Sequence, residues 1–320
     1  MGWLAFDNIE EALQDSKDIL LPFDLKVWTF FAVIILFTGH VTFGFPSMPV
    51  PGDTGFDSDW SYDSATSETS VPETSIQSPF SDDLDNVIGE ATQSASISPL
   101  FLILLVLIPG LLLFLIYVTS VFEFVMYRSV KDKEPKLGYF REYLGEGLQY
   151  MIFNIGMALL SILTIVVLIL PLTVTLWSAL VVIPIGLLLF VILGGISWLV
   201  FNIALPEMIY NDKNIIEGFT KSLEILKEET AEVVLFWFMK WAISLLISIG
   251  VLTIVVSSLI LLAIPFVIIG FLLALISPWL AVPIGIIFAV LVIVLLLYIA
   301  VPVRVYLYSY ILNMYEDLVQ

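Results

Sequence analysis

Few residues in this sequence could do chemistry. His40 is the only histidine among 320 residues, and there is no cysteine. Thiolate catalysis, disulfides and thiolate metal sites are therefore excluded. One imidazole, beside Gly39 and without a second histidine or a carboxylate neighbour, makes a poor metal site and fits an interfacial side chain better. Neither GxxxxGK[ST] nor HExxH occurs, and a single histidine leaves no Ser/His/Asp relay to assign. Asp57, Asp59, Ser61, Asp63 and Glu68 have the 1, 3, 5, 7, 12 spacing of an EF-hand calcium loop. Tyr62 occupies the turn position that needs glycine, and an acidic linker that weakly attracts divalent cations is the better reading. The sequence thus assigns no catalytic residue, no cofactor and no metal.

The remaining candidates lie within apolar segments. Glu123, Glu207, Glu232, Lys240 and Arg304 all fall toward one end of their segments, and each is costly in hydrocarbon unless paired or snorkelling. Arg304 with Glu207 or Glu123 is the expected structural ion pair, or alternatively an inner gate. Asn154 and Asn202 are expected to hydrogen-bond across helices, with Ser161, Ser197, Ser244 and Ser248 packing closely or bonding their own backbone. The middle of the segments has no Asp, Glu, Lys or Arg of the kind that couples ions to transport.

The elements that must position these residues are set by composition. Sixty per cent of the chain is hydrophobic and 13% is charged, with a mean hydropathy of +1.05. No soluble core can hide that much apolar surface, so an all-α polytopic transmembrane bundle is expected, with the lipid bilayer as its main partner. Stretches able to cross roughly 30 Å of hydrocarbon occur near 26–45, 99–127, 148–171, 178–205, 231–262 and 279–310. Residues 264–277 are apolar enough to form a re-entrant piece, an extra span or a buried connection. All 12 basic residues fall on one side of a six-span arrangement, while 46–98, 171–178 and 263–278 have none. The positive-inside rule then predicts a cell-membrane protein with both termini cytoplasmic and 46–98 extracellular.

Residues 1–25 are expected as a cytoplasmic amphipathic segment with no cleavable leader, 26–45 as the first span, and 99–320 as a five-span bundle. The loop 46–98 is rich in Ser, Thr and Pro, has ten carboxylates and no basic residue, and reads as solvated and disordered. Further amphipathic helices are expected near 136–148 and 214–229, the clearest built on Ile215, Ile216, Phe219, Leu223 and Leu226. Val182-Ile183-Pro184-Ile185-Gly186 echoes Ala281-Val282-Pro283-Ile284-Gly285, and Ala204-Leu205-Pro206 echoes Ala300-Val301-Pro302. These echoes suggest three units, each an interfacial helix followed by a helical hairpin.

The formal charge of −18 excludes nucleic acid as a partner and suits a surface kept hydrated in high salt. The opening Leu20-Leu21-Pro22-Phe23-Asp24-Leu25-Lys26-Val27-Trp28 resembles uncharacterised archaeal multi-pass membrane proteins of halophile type. The nine lysines to three arginines depart from that pattern. Leu205-Pro206-Glu207-Met208-Ile209-Tyr210 with Gly218-Phe219-Thr220-Lys221-Ser222-Leu223 is similar to the membrane domain attached to some glycerophosphodiester phosphodiesterases. The resemblance implies a membrane module without the hydrolase barrel. A non-enzymatic scaffold or accessory subunit with a membrane-protein partner is the leading expectation. A transporter or channel for a small solute or lipid is the alternative, ahead of a lipid-acting enzyme using Glu207 or His40.

Overall fold

The computed structural model describes residues 4–38, 99–172 and 179–319. His40, the spacing at 57–68, the loop 46–98 and the far end of the first expected span lie outside them. Two compact units are present, residues 1–51 with 115–320, and residues 52–114. The described part of the second is the start of helix α3 (Pro99–Lys131), a run bearing the exposed side chains Leu107, Ile108, Leu111 and Leu112.

Among the described residues of the first unit, α1 (Leu4–Leu20) and α2 (Leu25–Thr38) meet at 117°. Pro22 ends the first helix, and the Asp24 side chain accepts from the Lys26 backbone N–H at 2.8 Å to begin the second. After α3 come the short α4 (Tyr139–Glu142), α5 (Leu144–Leu172) and α6 (Ala179–Leu199). A π-helical turn, Val200–Ala204, leads into α7 (Leu205–Asn211). Then follow α8 (Ile215–Glu228), α9 (Thr230–Ile276) and α10 (Pro278–Val319).

Among the described residues, five helices are long and apolar enough to cross a membrane, and six if the bent α1–α2 pair counts as one span. The fold is a helical membrane bundle, as the composition requires. Residues 264–277 are not a separate element, because they continue α9 through Pro265 without a break until Ser277. Residues 136–148 are not one amphipathic helix either. Tyr143 leaves helical geometry between α4 and α5, in a stretch where Gly138, Gly145 and Gly147 weaken helix propensity. Residues 214–229 form the expected helix, α8. Its Asn214 cap accepts from Ile216 and Glu217 N–H at 3.1 and 3.0 Å while its amide donates to the Glu217 side chain.

Burial is concentrated at one end of the unit. Val118 to Val130 of α3, Tyr150 of α5, Leu199 to Ile209, and Leu297 to Leu318 of α10 form a continuous core with Ala5, Ala12, Phe31, Ile34 and Phe236. α10 packs against α9, α1 and α2. Beyond this packed end, no residue of α5 from Met151 to Ile169, of α9 from Val256 to Ile276, or of α10 from Ala281 to Leu296 is buried. On α6 only Gly186 and Leu193 are buried before Leu199. These lengths are apolar on every face, which in water would be untenable and in lipid is not.

Two glycines set how closely backbones approach at the packed end. A Cβ on Gly147 would sit 2.9 Å from Val121 Cα and 2.4 Å from its Cγ2, and one on Gly218 would sit 2.9 Å from the Ala204 carbonyl oxygen. Neither neighbour can rotate away. Gly147→Ala and Gly218→Ala are expected to lower stability by about 1–3 kcal/mol in thermal unfolding of the detergent-solubilised protein. Gly156→Ala, which meets nothing within 4 Å, should be neutral or slightly stabilising. Equal melting temperatures for all three would refute the close approach.

Candidate functional site

The π-helical turn is the local feature from which the polar centre is built. Pro206 has no N–H to offer the Asn202 carbonyl four residues earlier, and its ring crowds that carbonyl, so the preceding turn widens. The widened turn displays Asn202 and Phe201. Asn202 Nδ2 donates to the Trp198 carbonyl at 2.7 Å, which orients the amide oxygen outward, and Lys240 of α9 donates to that oxygen. The Lys240 ammonium also lies 5.0 Å from the centre of the Phe201 ring, a cation–π contact. The Phe201 carbonyl accepts from the Tyr127 hydroxyl at 2.6 Å, tying α3 to the same turn.

Glu123 stands one turn before Tyr127 on α3, is 1% exposed, and accepts a hydrogen bond from Tyr308 of α10. The Tyr127 and Tyr308 rings meet edge to face at 4.5 Å. Arg304, one turn before Tyr308, is half-buried, and Arg304 and Glu123 are both within electrostatic reach of Lys240. Two cations and one carboxylate therefore share this junction. Asn154 of α5 shares a hydrogen bond with the Tyr150 hydroxyl, one turn earlier on the same helix.

Glu207 belongs to a second cluster. It is 1% exposed, accepts from Asn211 Nδ2 at 3.0 Å and from the Tyr315 hydroxyl, and forms an ion pair with Lys213. Asp212 takes the left-handed conformation at φ 50°, turning the chain so that Lys213 folds back onto the carboxylate. The cation paired with Glu207 is Lys213. Neighbouring Tyr210 donates to Glu316, and Lys131 lies 3.6 Å from the centre of its ring.

A third group ties α1 to the end of α10 and to the α3–α4 turn. Asn8 donates to Asp317 at 2.8 Å, Asn313 donates to Asp15 at 2.9 Å, and Lys133 pairs with Asp15 at 2.6 Å. The hydrogen bonds to Asp15 and Glu207 hold Lys133 and Lys213 protonated above the ordinary lysine value of 10.5. What these bridges contribute is complete below that value and is lost only as pH rises through the raised one.

Sequence reasoning missed Tyr127, Tyr308 and Tyr315, the phenols that satisfy a carbonyl and the two buried carboxylates. Their spacing was available: Glu123 and Tyr127, or Arg304 and Tyr308, are four residues apart on one helix face. No group of three or more Asp, Glu, His or Cys able to hold a metal occurs among the described residues.

Long apolar helices and polar groups gathered at one end define a polytopic helical membrane protein. The chain belongs to DUF7544, a family of unknown function, matched over residues 3–320. No curated protein and no solved structure matches it.

Removing the phenol of Tyr315 leaves a buried Glu207 oxygen without its donor. Tyr315→Phe is expected to cost about 1–3 kcal/mol, measured by thermal unfolding at pH 7. A loss no larger than that of Tyr306→Phe would show that the bond contributes nothing.

Proposed function

We propose that this protein is a non-enzymatic membrane scaffold or accessory subunit that works by associating with another membrane protein. The observation that carries the reading is the apolar side-chain surface left exposed on the outward faces of α5, α6, α9 and α10 beyond the packed end, where α9 meets α10 along one face, Phe266 against Phe288, and α5 meets α6 at Leu168 and Gly186. Those outward faces are left for lipid or for the helices of a partner. At the packed end the two buried carboxylates are engaged by neighbouring side chains. Glu207 is tied to Lys213, Asn211 and Tyr315, and Glu123 to Tyr308. Neither carboxylate is placed beside a nucleophile or a second acid in the manner of a hydrolase. A conducting path would need polar lining along the remaining length, where Trp241 to Val303 contains no Asp, Glu, Lys or Arg.

The similarity of Leu205–Tyr210 and Gly218–Leu223 to a membrane domain attached to phosphodiesterases supports the same reading. The one-sided distribution of lysine and arginine supports placing both termini and the packed end in the cytoplasm, with 46–98 outside. The acidic excess fits a surface adapted to salt.

Native mass spectrometry of the protein extracted gently from its own membrane is expected to show a stable complex with a second membrane protein. A chain that emerges alone from every mild extraction and moves a solute across proteoliposomes would overturn the scaffold reading in favour of transport.

A further inference from the structure

Helix α1 has three sides. At about 3.6 residues per turn, Ala5, Asn8, Ala12, Ser16 and Ile19 share one side, which is buried and faces α10. Asp7, Glu11, Gln14 and Asp18 share a second, which is polar and exposed. Phe6, Leu13 and Lys17 lie on the third, where Phe6 is 51% and Leu13 46% exposed. A helix that only covered its own protein would need one apolar side. Here a second apolar side runs on into the bend before α2, where Leu21, Phe23 and Leu25 are exposed. Leu36, three turns beyond Leu25 on the same outward side of α2, continues it along the span.

Both ends of α1 are fixed level with aromatic side chains of the kind that favour the membrane boundary. At its start the Tyr310 hydroxyl donates to the Ala5 carbonyl at 3.0 Å, and the Tyr310 ring meets Phe236 of α9 at 5.6 Å. Trp237 and Phe238 follow on α9 and Trp241 comes a turn later, all exposed. At its end the Leu20 carbonyl accepts from the Trp28 indole N–H at 3.2 Å, and Phe23 lies 5.1 Å from the Trp28 ring. The bend of 117° carries α1 across the axis of α2 rather than along it. We infer that α1 lies in the membrane boundary at the packed end, with Phe6, Leu13 and Leu21 inserted between lipid headgroups and chains. Lys17, four residues from both Leu13 and Leu21, lays its stem on the lipid and carries its ammonium to the phosphates. Asp15 and Asp18, turned away from Phe6 and Leu13, pair with Lys133 of the α3–α4 turn, so the polar partners of α1 stand opposite its lipid side. This goes beyond the scaffold reading and does not depend on it.

The chain has no cysteine, so Phe6→Cys, Leu13→Cys, Asp7→Cys and Glu11→Cys can each carry a single nitroxide label, all at exposed positions. The labelled full-length protein is placed in vesicles of phosphatidylcholine and phosphatidylglycerol. Collision of each nitroxide with oxygen, which concentrates in lipid, is compared with its collision with a water-soluble nickel chelate. The oxygen-to-nickel ratio at the Phe6 and Leu13 sites is expected to exceed that at the Asp7 and Glu11 sites about threefold. Equal ratios at all four sites would place Phe6 and Leu13 in water and overturn the inference. Shielding of the Phe6 and Leu13 sites from both reagents would overturn it as well, by showing protein over that side of the helix.

Discussion

Pro206 withholds one backbone N–H from Asn202, and the polar interior is organised by the consequence. A helix that loses a hydrogen bond in lipid must recover it, because no water is present to substitute. Here the chain widens into a π turn whose carbonyls are met from outside the helix. Tyr127 donates to the carbonyl of Phe201, and Gly218 lets the backbone of α8 come against that of Ala204. The same widening displays Asn202 toward Lys240. One missing donor thereby joins α3, α6, α8 and α9 at a single level.

The concentration of packing at one end follows from the solvent. Between apolar helices in lipid there is little hydrophobic drive, since the tails are as apolar as leucine. Association then rests on close backbone approach and on polar contacts, and these occur only where the sequence supplies glycines, tyrosines and charged groups. Gly147, Gly218, Glu123, Glu207, Tyr308 and Tyr315 all lie at the packed end. Where those residues stop, burial stops. The exposed lengths of α5, α6 and α9 need no interior partner to be stable as helices, because hydrocarbon itself enforces their hydrogen bonding.

The architecture was legible because membrane spanning leaves a coarse signal, uninterrupted apolar length. The helix α8 was legible too, since the spacing of Ile215, Phe219, Leu223 and Leu226 is a local pattern that needs no tertiary knowledge. The partner of Glu207 was not. Depth matching along the repeats suggested Arg304 as one choice, but the cation that reaches it is six residues away, and its return depends on a left-handed Asp212. Asn-Asp at 211–212 is readable as a turn, yet its direction is set by packing. Nor could the sequence show which apolar residues face protein and which face lipid, because both positions take Leu, Ile and Val. The roles of the tyrosines follow from contacts between helices far apart in the chain, such as Tyr308 with Glu123.

α9 raises a constraint that the other helices do not. Its 47 residues extend about 70 Å, and the uncharged run from Lys240 to Ser277 alone is roughly 55 Å, well beyond the hydrocarbon thickness of about 30 Å. The paired leg of α10 from Pro278 to Arg304 is shorter, roughly 39 Å. The two cannot both stand upright between a shared boundary at Lys240 and Arg304 and a shared turn at Ser277. Tilt, curvature at Pro265 and Pro283, or local thickening of the bilayer must absorb the difference, each costing fractions of a kcal/mol per ångström. A hydrophobic partner beside the hairpin would absorb it as well, by covering apolar length that the membrane is too thin to cover. Ile276 and Trp279, 77% and 83% exposed at the turn, are the side chains that such a cover would shelter first. Excess apolar length and exposed outward faces thus favour the same arrangement: a chain that secures itself at one end and leaves much of the other to its surroundings.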